Sequence, residues 1–223
     1  MVDAPNEMEN YICVFVDVLG AKGKGIDVVF AQALDKVITR FLDSTSQIGF
    51  IMRPISDGFV LALKNKQSFA KDCFYLFNLV SWISQHFLID TESLLRGGIA
   101  FGKLYVGENL VFGEALIKAY SIESKEAIYP RIVVSNDIFQ TLKDHQDVEA
   151  HAEMTLSILQ EDFDGRRYIK QVYSIELERL QSISDKLRKR AIYDDYKYQK
   201  YVWWANTMNR DFADRGLSFR LET

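Results

Sequence analysis

The hydrophobic pattern changes period several times along the chain, and each change marks an element. Tyr11 to Val18 (YICVFVDV) is a nearly continuous apolar run rich in β-branched and aromatic residues, which predicts a buried central strand. Leu19 to Gly25 is a Gly/Lys loop. Ile26 to Leu42 carries apolar residues at 26, 29, 30, 33, 34, 37, 38, 41 and 42, a helical period. Ile48 to Ile55 and Phe59 to Leu63 read as strands joined by a hairpin turn at Ser56-Asp57-Gly58. Phe69 to Ile89 predicts a long helix with Phe69, Cys73, Leu76, Val80, Ile83 and Phe87 on one stripe.

Beyond it, Leu94 to Tyr105 reads as a glycine-bearing strand and Gly113 to Ala127 as a helix. Arg131 to Val134 reads as a short buried strand, with Ser135 capping the helix that follows. Tyr168 to Ile175 predicts a strand entered through the turn Asp164-Gly165, and Ser182 to Asn209 an aromatic, charged helical region. Strands alternating with helices in this order predict an α/β (α+β) sandwich with a mixed sheet flanked by helices. The plausible boundary lies near 177, giving a unit of 1–177 and a C-terminal helical extension of 178–223 packed on that unit or on a dimer mate.

Composition narrows the class. The 223 residues are 48% hydrophobic and 26% charged, a globular balance. A net charge of −4 gives no bulk basic field for nucleic acid. Cys13 and Cys73 lie inside apolar runs without zinc-ligand spacing, so they read as buried thiols in a reducing compartment. No apolar run reaches the length of a membrane span, and the polar, acidic start MVDAPNEMEN reads as neither signal nor transit peptide. The expected location is the cytoplasm.

Candidate chemistry concentrates at one end of the first strand. Asp17 ends an apolar run, where a charge is costly unless paired or metal-bound. Asp57 sits at a hairpin tip that should lie beside it. Two carboxylates at the same end of adjacent strands suit hard divalent cations, and a glycine-rich loop at a helix start suits phosphates. Taken alone, Asp57 before Gly58 is also ordinary turn chemistry, and Lys22 and Lys24 also read as solvated loop charges. The turn Asp162 to Gly165 reads as a hairpin turn rather than a calcium loop. The stripe of Tyr196, Tyr198, Tyr201, Trp203 and Trp204 reads as a packed helix before it reads as a base-stacking surface.

The order of motifs carries a resemblance. Phe15-x-Asp17-x-x-Gly20, then Ser56-Asp57 before an apolar strand, then Arg96-Gly97-Gly98-Ile99-x-x-Gly102, then Phe112-Gly113-x-Ala115-x-x-x-Ala119-x-x-x-Glu123-Ser124 resembles the class III nucleotidyl cyclase domain over about residues 10 to 140. The segment PRIVVS and the terminal KYQKYVWWANTMN are similar to the Pycsar pyrimidine cyclases of bacterial antiphage defence. The resemblance implies a ferredoxin-like catalytic domain working as a head-to-tail homodimer. It implies metal ligation by Asp17, Asp57 and the Val18 carbonyl, with two Mn2+ or Mg2+ ions per site. Triphosphate contacts fall on Leu19, Gly20, Ala21, Lys22 and Gly23. The substrate would be a nucleoside triphosphate, and the product a second messenger read by a downstream effector.

The chain departs from the purine cyclases at three places. Their ribose-orienting Asn falls on Ile117, their transition-state Arg on Ser121, and their purine-selecting Lys on Ile51. Arg96 and Lys118 are the candidate replacement donors. Phe15, Phe50 and Ile51 would shrink the base pocket towards a single ring, and Arg53 is a donor suited to uracil O4. The expectation is therefore UTP cyclised to 3′,5′-cyclic UMP, with CTP to cyclic CMP, or an inactive nucleotide-binding or dimerisation module, as alternatives.

Overall fold

The computed structural model describes residues 7–20, 27–46 (backbone only at 43–46), 49–66, 68–146, 148–171 and 175–223. The strands are β1 (Glu9–Val18), β2 (Ile51–Ile55), β3 (Gly58–Lys64), β4 (Leu95–Val106), β5 (Val111–Gly113), β6 (Ile132–Val134), β7 (Leu159–Glu161) and β8 (Arg167–Ile169). The helices are α1 (Val28–Ser46), α2 (Phe69–Thr91), α3 (Glu114–Lys125), α4 (Asn136–Asp144), α5 (Ala150–Ser157), α6 (Leu177–Ala191) and α7 (Asp195–Asp214). They form one mixed sheet in the order β2-β3-β1-β4-β6-β8-β7, with β5 paired to the far end of β4. β1 is antiparallel to β3 and β4, and β4 is parallel to β6. This is the expected mixed sheet flanked by helices.

β1 explains its own sequence. Ile12, Val14, Val16 and Val18 enter the main core with α1, α2 and α4, whereas Tyr11, Cys13 and Phe15 face α3. A strand covered on both faces has no polar face to alternate, so it reads as an unbroken apolar run. Both thiols are buried, and burial pushes the Cys13 pKa up to about 12.

Helix α3 lies close on β4 because Gly98 lacks a side chain. A Cβ there would meet the Ala119 carbonyl at 2.3 Å and the Ile122 Cβ at 2.7 Å. Gly98→Ala must therefore lift α3 from the sheet. We expect a loss of about 2 kcal/mol in urea unfolding, within the range for overpacking.

Helices α6 and α7 close a second core over the β8 side of the sheet. Leu180, Ile183, Tyr201, Trp204 and Met208 pack with Leu88, Leu94 and Tyr168. The tyrosine and tryptophan stripe is thus largely an internal one, although Tyr196 remains exposed.

Several elements differ from expectation. β7 and α5 lie outside the elements that the sequence pattern predicts. β2 starts at Ile51, and the strand expected to run to Ile175 ends at Ile169, with 172–174 outside the described residues. Ser135 holds the N-cap position of α4, but its side chain makes no cap hydrogen bond, and its Oγ is buried without a partner among the described residues. Asp27, Ser68 and Asp194 supply side-chain caps at α1, α2 and α7.

Candidate active site

The register brings the two acids together. Asp17 lies opposite Gly58 on β3 and opposite Arg96 on β4. Asp57 precedes Gly58 in the two-residue turn between β2 and β3, where Ser56 adopts a left-handed φ of 55°. Gly58 permits the approach, since a Cβ at this position would sit 2.1 Å from the Val16 carbonyl oxygen. Only glycine lets β3 come this close to β1 at its acidic end.

Asp17 is about three-quarters buried and held from one side. Arg96 donates from Nε and Nη2 to Asp17 Oδ2 at 3.2 and 3.0 Å. The same guanidinium lies 2.6 Å from Oε1 of Glu123, whose side chain is only 4% exposed, on α3. Arg96 thus ties β1, β4 and α3 together and orients Asp17. Two carboxylates already share its charge, which argues against a free phosphate-facing donor. Asp57 has no hydrogen-bond or ion-pair partner among the described residues.

After Val18 the chain turns sharply. Leu19 donates its N–H to the Leu94 carbonyl at 2.8 Å, and Gly20 follows at φ 82°, a left-handed conformation that favours glycine. Ala21, Lys22 and Gly23, expected to contact a triphosphate, lie outside the described residues.

The face shared with Asp17 also carries three of the four base-contacting candidates. Arg53, Val60 and Phe15 form one row across β2, β3 and β1, and Ile51, Ala62 and Cys13 form the next. Paired residues share a face, so Arg53, Ile51, Phe15 and Asp17 all point to the α3 side. Arg53 donates to the Met52 carbonyl at 3.0 Å. Phe50 is placed differently: it is buried in the main core with α1 and α2, on the opposite side of the sheet. It precedes the first residue of β2, one position out of phase with Ile51.

Tyr120, which the sequence pattern does not single out, borders the same face. Its ring meets Phe15 edge-on, with centroids 5.2 Å apart, while 55% of the residue stays exposed. The available signal was its place on α3 between Ile117 and Ser121. Ile117 is 59% exposed and Ser121 half-buried. Lys118, the other candidate donor, pairs with Glu114 one turn back at 2.8 Å.

The candidate donors are all oxygen: the carboxylates of Asp17 and Asp57 and, at the strand end, the Val18 carbonyl. Such hard donors fit Mg2+ or Mn2+ and not a metal that needs thiolate or imidazole. Among the described residues no group of three or more His, Cys, Asp or Glu could hold a metal. One chain would thus leave most coordination positions to phosphate oxygens and water, the arrangement usual for Mg2+.

No family model and no curated protein matches the chain. Solved structures do. The guanylyl cyclase domain of the RhoGC fusion protein from the aquatic fungus Blastocladiella emersonii, in a monomeric form, aligns with a TM-score of 0.55 at 14% identity, over 74% of this chain and 96% of that one. The catalytic core of a rhodopsin-guanylyl cyclase with converted specificity, in complex with ATPαS, aligns at 0.53 and 15%, over 74% and 97%. The adenylyl cyclase CyaB from P. aeruginosa aligns at 0.51 and 18%, over 76% and 96%. The chain therefore has the fold of adenylyl and guanylyl cyclase catalytic domains. Among the described residues no helix is long and apolar enough to cross a membrane.

Proposed function

We propose that this protein is a nucleotide cyclase that converts UTP to 3′,5′-cyclic UMP and pyrophosphate. The observation that carries the reading is that Asp17 on β1 lies opposite Gly58, the residue that directly follows Asp57, within a fold shared with purine nucleotide cyclases. Divalent cations held by Asp17, Asp57 and the Val18 carbonyl would lower the pKa of the ribose 3′-OH and neutralise the triphosphate. The 3′-oxygen attacks the α-phosphorus in line, the bond to the β-phosphate bridging oxygen breaks, and pyrophosphate leaves. Arg96 keeps Asp17 aimed at this centre.

The pyrimidine preference rests on the pocket face. Ile51 stands where purine cyclases place a selecting Lys, and Phe15 narrows the same face. Arg53, on that face, is a donor suited to the uracil O4 acceptor, where cytosine presents an amino group. Residues 1–177 would form the catalytic unit and 178–223 its extension. Exposed Leu110, Phe112, Ile117 and Tyr120 favour a homodimer in which a second chain covers this surface and completes the site. The product would act as a second messenger in antiviral defence in the cytoplasm, read by an effector that need not bind the cyclase.

A second reading, an inactive nucleotide-binding module, is favoured by one feature: α3 presents Ile117 and Ser121 where cyclases of this class place an Asn and an Arg. One experiment separates the two. The protein is incubated with equal ATP, GTP, CTP and UTP and Mn2+, and the products are identified by mass. Cyclic UMP should dominate by about tenfold or more, the discrimination expected when a buried donor loses its acceptor. Cyclic CMP as main product would overturn the Arg53 contact alone. A cyclic purine would overturn the pocket reading, and no product would favour the binding module.

A further inference from the structure

We propose that α6 positions the metal-binding end of β1, acting through Glu92 in the turn between α2 and β4. Glu92 closes α2 in a left-handed conformation, φ 49° and ψ 42°. Its carboxylate is gripped from the last turns of α6, by Lys186 Nζ at 2.5 Å and Arg190 Nη2 at 2.9 Å, and Arg190 Nη1 also donates to the Glu92 carbonyl at 3.3 Å. At the other end of the helix, Arg179 donates to the Ile89 carbonyl at 3.3 Å. The last turn of α2 and the first residue of the turn after it are therefore held by one helix.

Two residues after Glu92, the Leu94 carbonyl accepts the Leu19 N–H at 2.8 Å. Leu94 is buried in the core built by α6 and α7, and the Leu19 side chain packs on that same core. Leu19 directly follows Asp17 and Val18, and Leu95 and Arg96 pair with Val18 and Asp17 in register. A continuous path of contacts thus runs from α6 through Glu92 and Leu94 to the strand end that carries two of the three metal donors. Burial alone would raise the Glu92 pKa, yet Lys186 and Arg190 more than offset it and hold it below the usual range.

In this role Glu92, Lys186 and Arg190 are positioning residues, and their catalytic consequence rests on the cyclase reading. The test uses the full chain in two forms. Glu92→Asn keeps a residue that tolerates the left-handed conformation but is shorter and uncharged. Lys186→Met with Arg190→Met removes the grip and leaves Glu92 in place. Amide hydrogen exchange should become about tenfold faster at Leu19 in both, while Val14 in mid-strand changes little. Where the chain cyclises nucleotide, the apparent Mn2+ constant should rise about threefold to tenfold with a smaller change in kcat. Leu19 exchange within twofold of wild type in both forms would overturn the proposal. Equal acceleration at Leu19 and Val14 would also overturn it, since α6 would then stabilise only the whole fold. Failure to cyclise any nucleotide would overturn the functional reading and leave the exchange result standing.

Discussion

Asp57→Asn should reduce nucleotide turnover by about a thousandfold or more while leaving the fold intact. A carboxylate that balances a dication at a phosphoryl centre contributes several kcal/mol of transition-state stabilisation, and about 4 kcal/mol corresponds to a thousandfold in rate. The neutral amide keeps the shape and loses the charge. Asp57 has no partner among the described residues, so its removal breaks no ion pair or hydrogen bond within the described fold. The melting temperature should therefore stay the same or rise slightly, as when an uncompensated site charge is removed.

Asp17 differs because Arg96 depends on it. Asp17→Asn leaves an acceptor for Arg96 and should be inactive but folded, whereas Asp17→Ala leaves Arg96 with Glu123 alone and should also lose stability. If each site takes metal ligands from one chain and base contacts from the other, mixing Asp57→Ala with an inactive Ile51→Lys chain should restore activity. Near-wild-type turnover in either Asn variant would defeat the metal assignment. Absence of rescue in a mixed, dimeric sample would defeat the shared site.

Much of this geometry was legible in the sequence, for identifiable reasons. β1 announces itself as an unbroken apolar run and α2 as a long stretch of helical period, and the glycines of β4 mark its close packing. Asp17 and Asp57 stand out as charges at the ends of apolar runs. The three-residue strands β5 and β7 are too short to show any period. Register was equally hidden. Arg53 faces the Phe15 side because it pairs with Val60, and Phe50 leaves that face because it is one residue out of phase with Ile51. A one-residue slip exchanges the two faces of a strand, so parity had to come from pairing. The grip of Arg96 on Asp17 joins residues 79 positions apart, and no local signal reports it.

Arg131 is the clearest case of a contact invisible from composition, and its loss should be the most damaging to stability. It precedes the apolar run of β6, and its side chain is fully buried. Its guanidinium pairs with Asp162, donates to Asp164 Oδ1 at 3.0 Å and to the Glu126 carbonyl at 3.0 Å, and lies over the rings of Tyr129 and Trp203. Trp203 Nε1 donates to Asp162 at 2.9 Å, so the cluster pins α7 to the β7–β8 turn. The Asp-Phe-Asp-Gly segment is a hairpin turn, as its glycine suggests, but its two acids also serve this arginine. Arg131→Met removes the cation and leaves Asp162 buried without it. Breaking one side of a buried pair costs roughly 3–5 kcal/mol, a large share of the 5–15 kcal/mol typical of a domain. At this chain length the melting temperature should fall by about 10 °C. The pH dependence separates this cause from lost packing. In the wild type, burial would raise the Asp164 pKa, but the Arg131 side chain, together with the Arg166 N–H and charge, outweighs it and holds it below the ordinary value. That contribution is present above about pH 4, the unfolded value, and is lost as pH falls through the lower folded one. Without Arg131 its share of that contribution is missing, so the variant gains less from an ionised Asp164. The difference in urea midpoint between wild type and Arg131→Met should therefore shrink as pH falls below about 4, and a difference independent of pH would show that the arginine acts there as bulk rather than as charge.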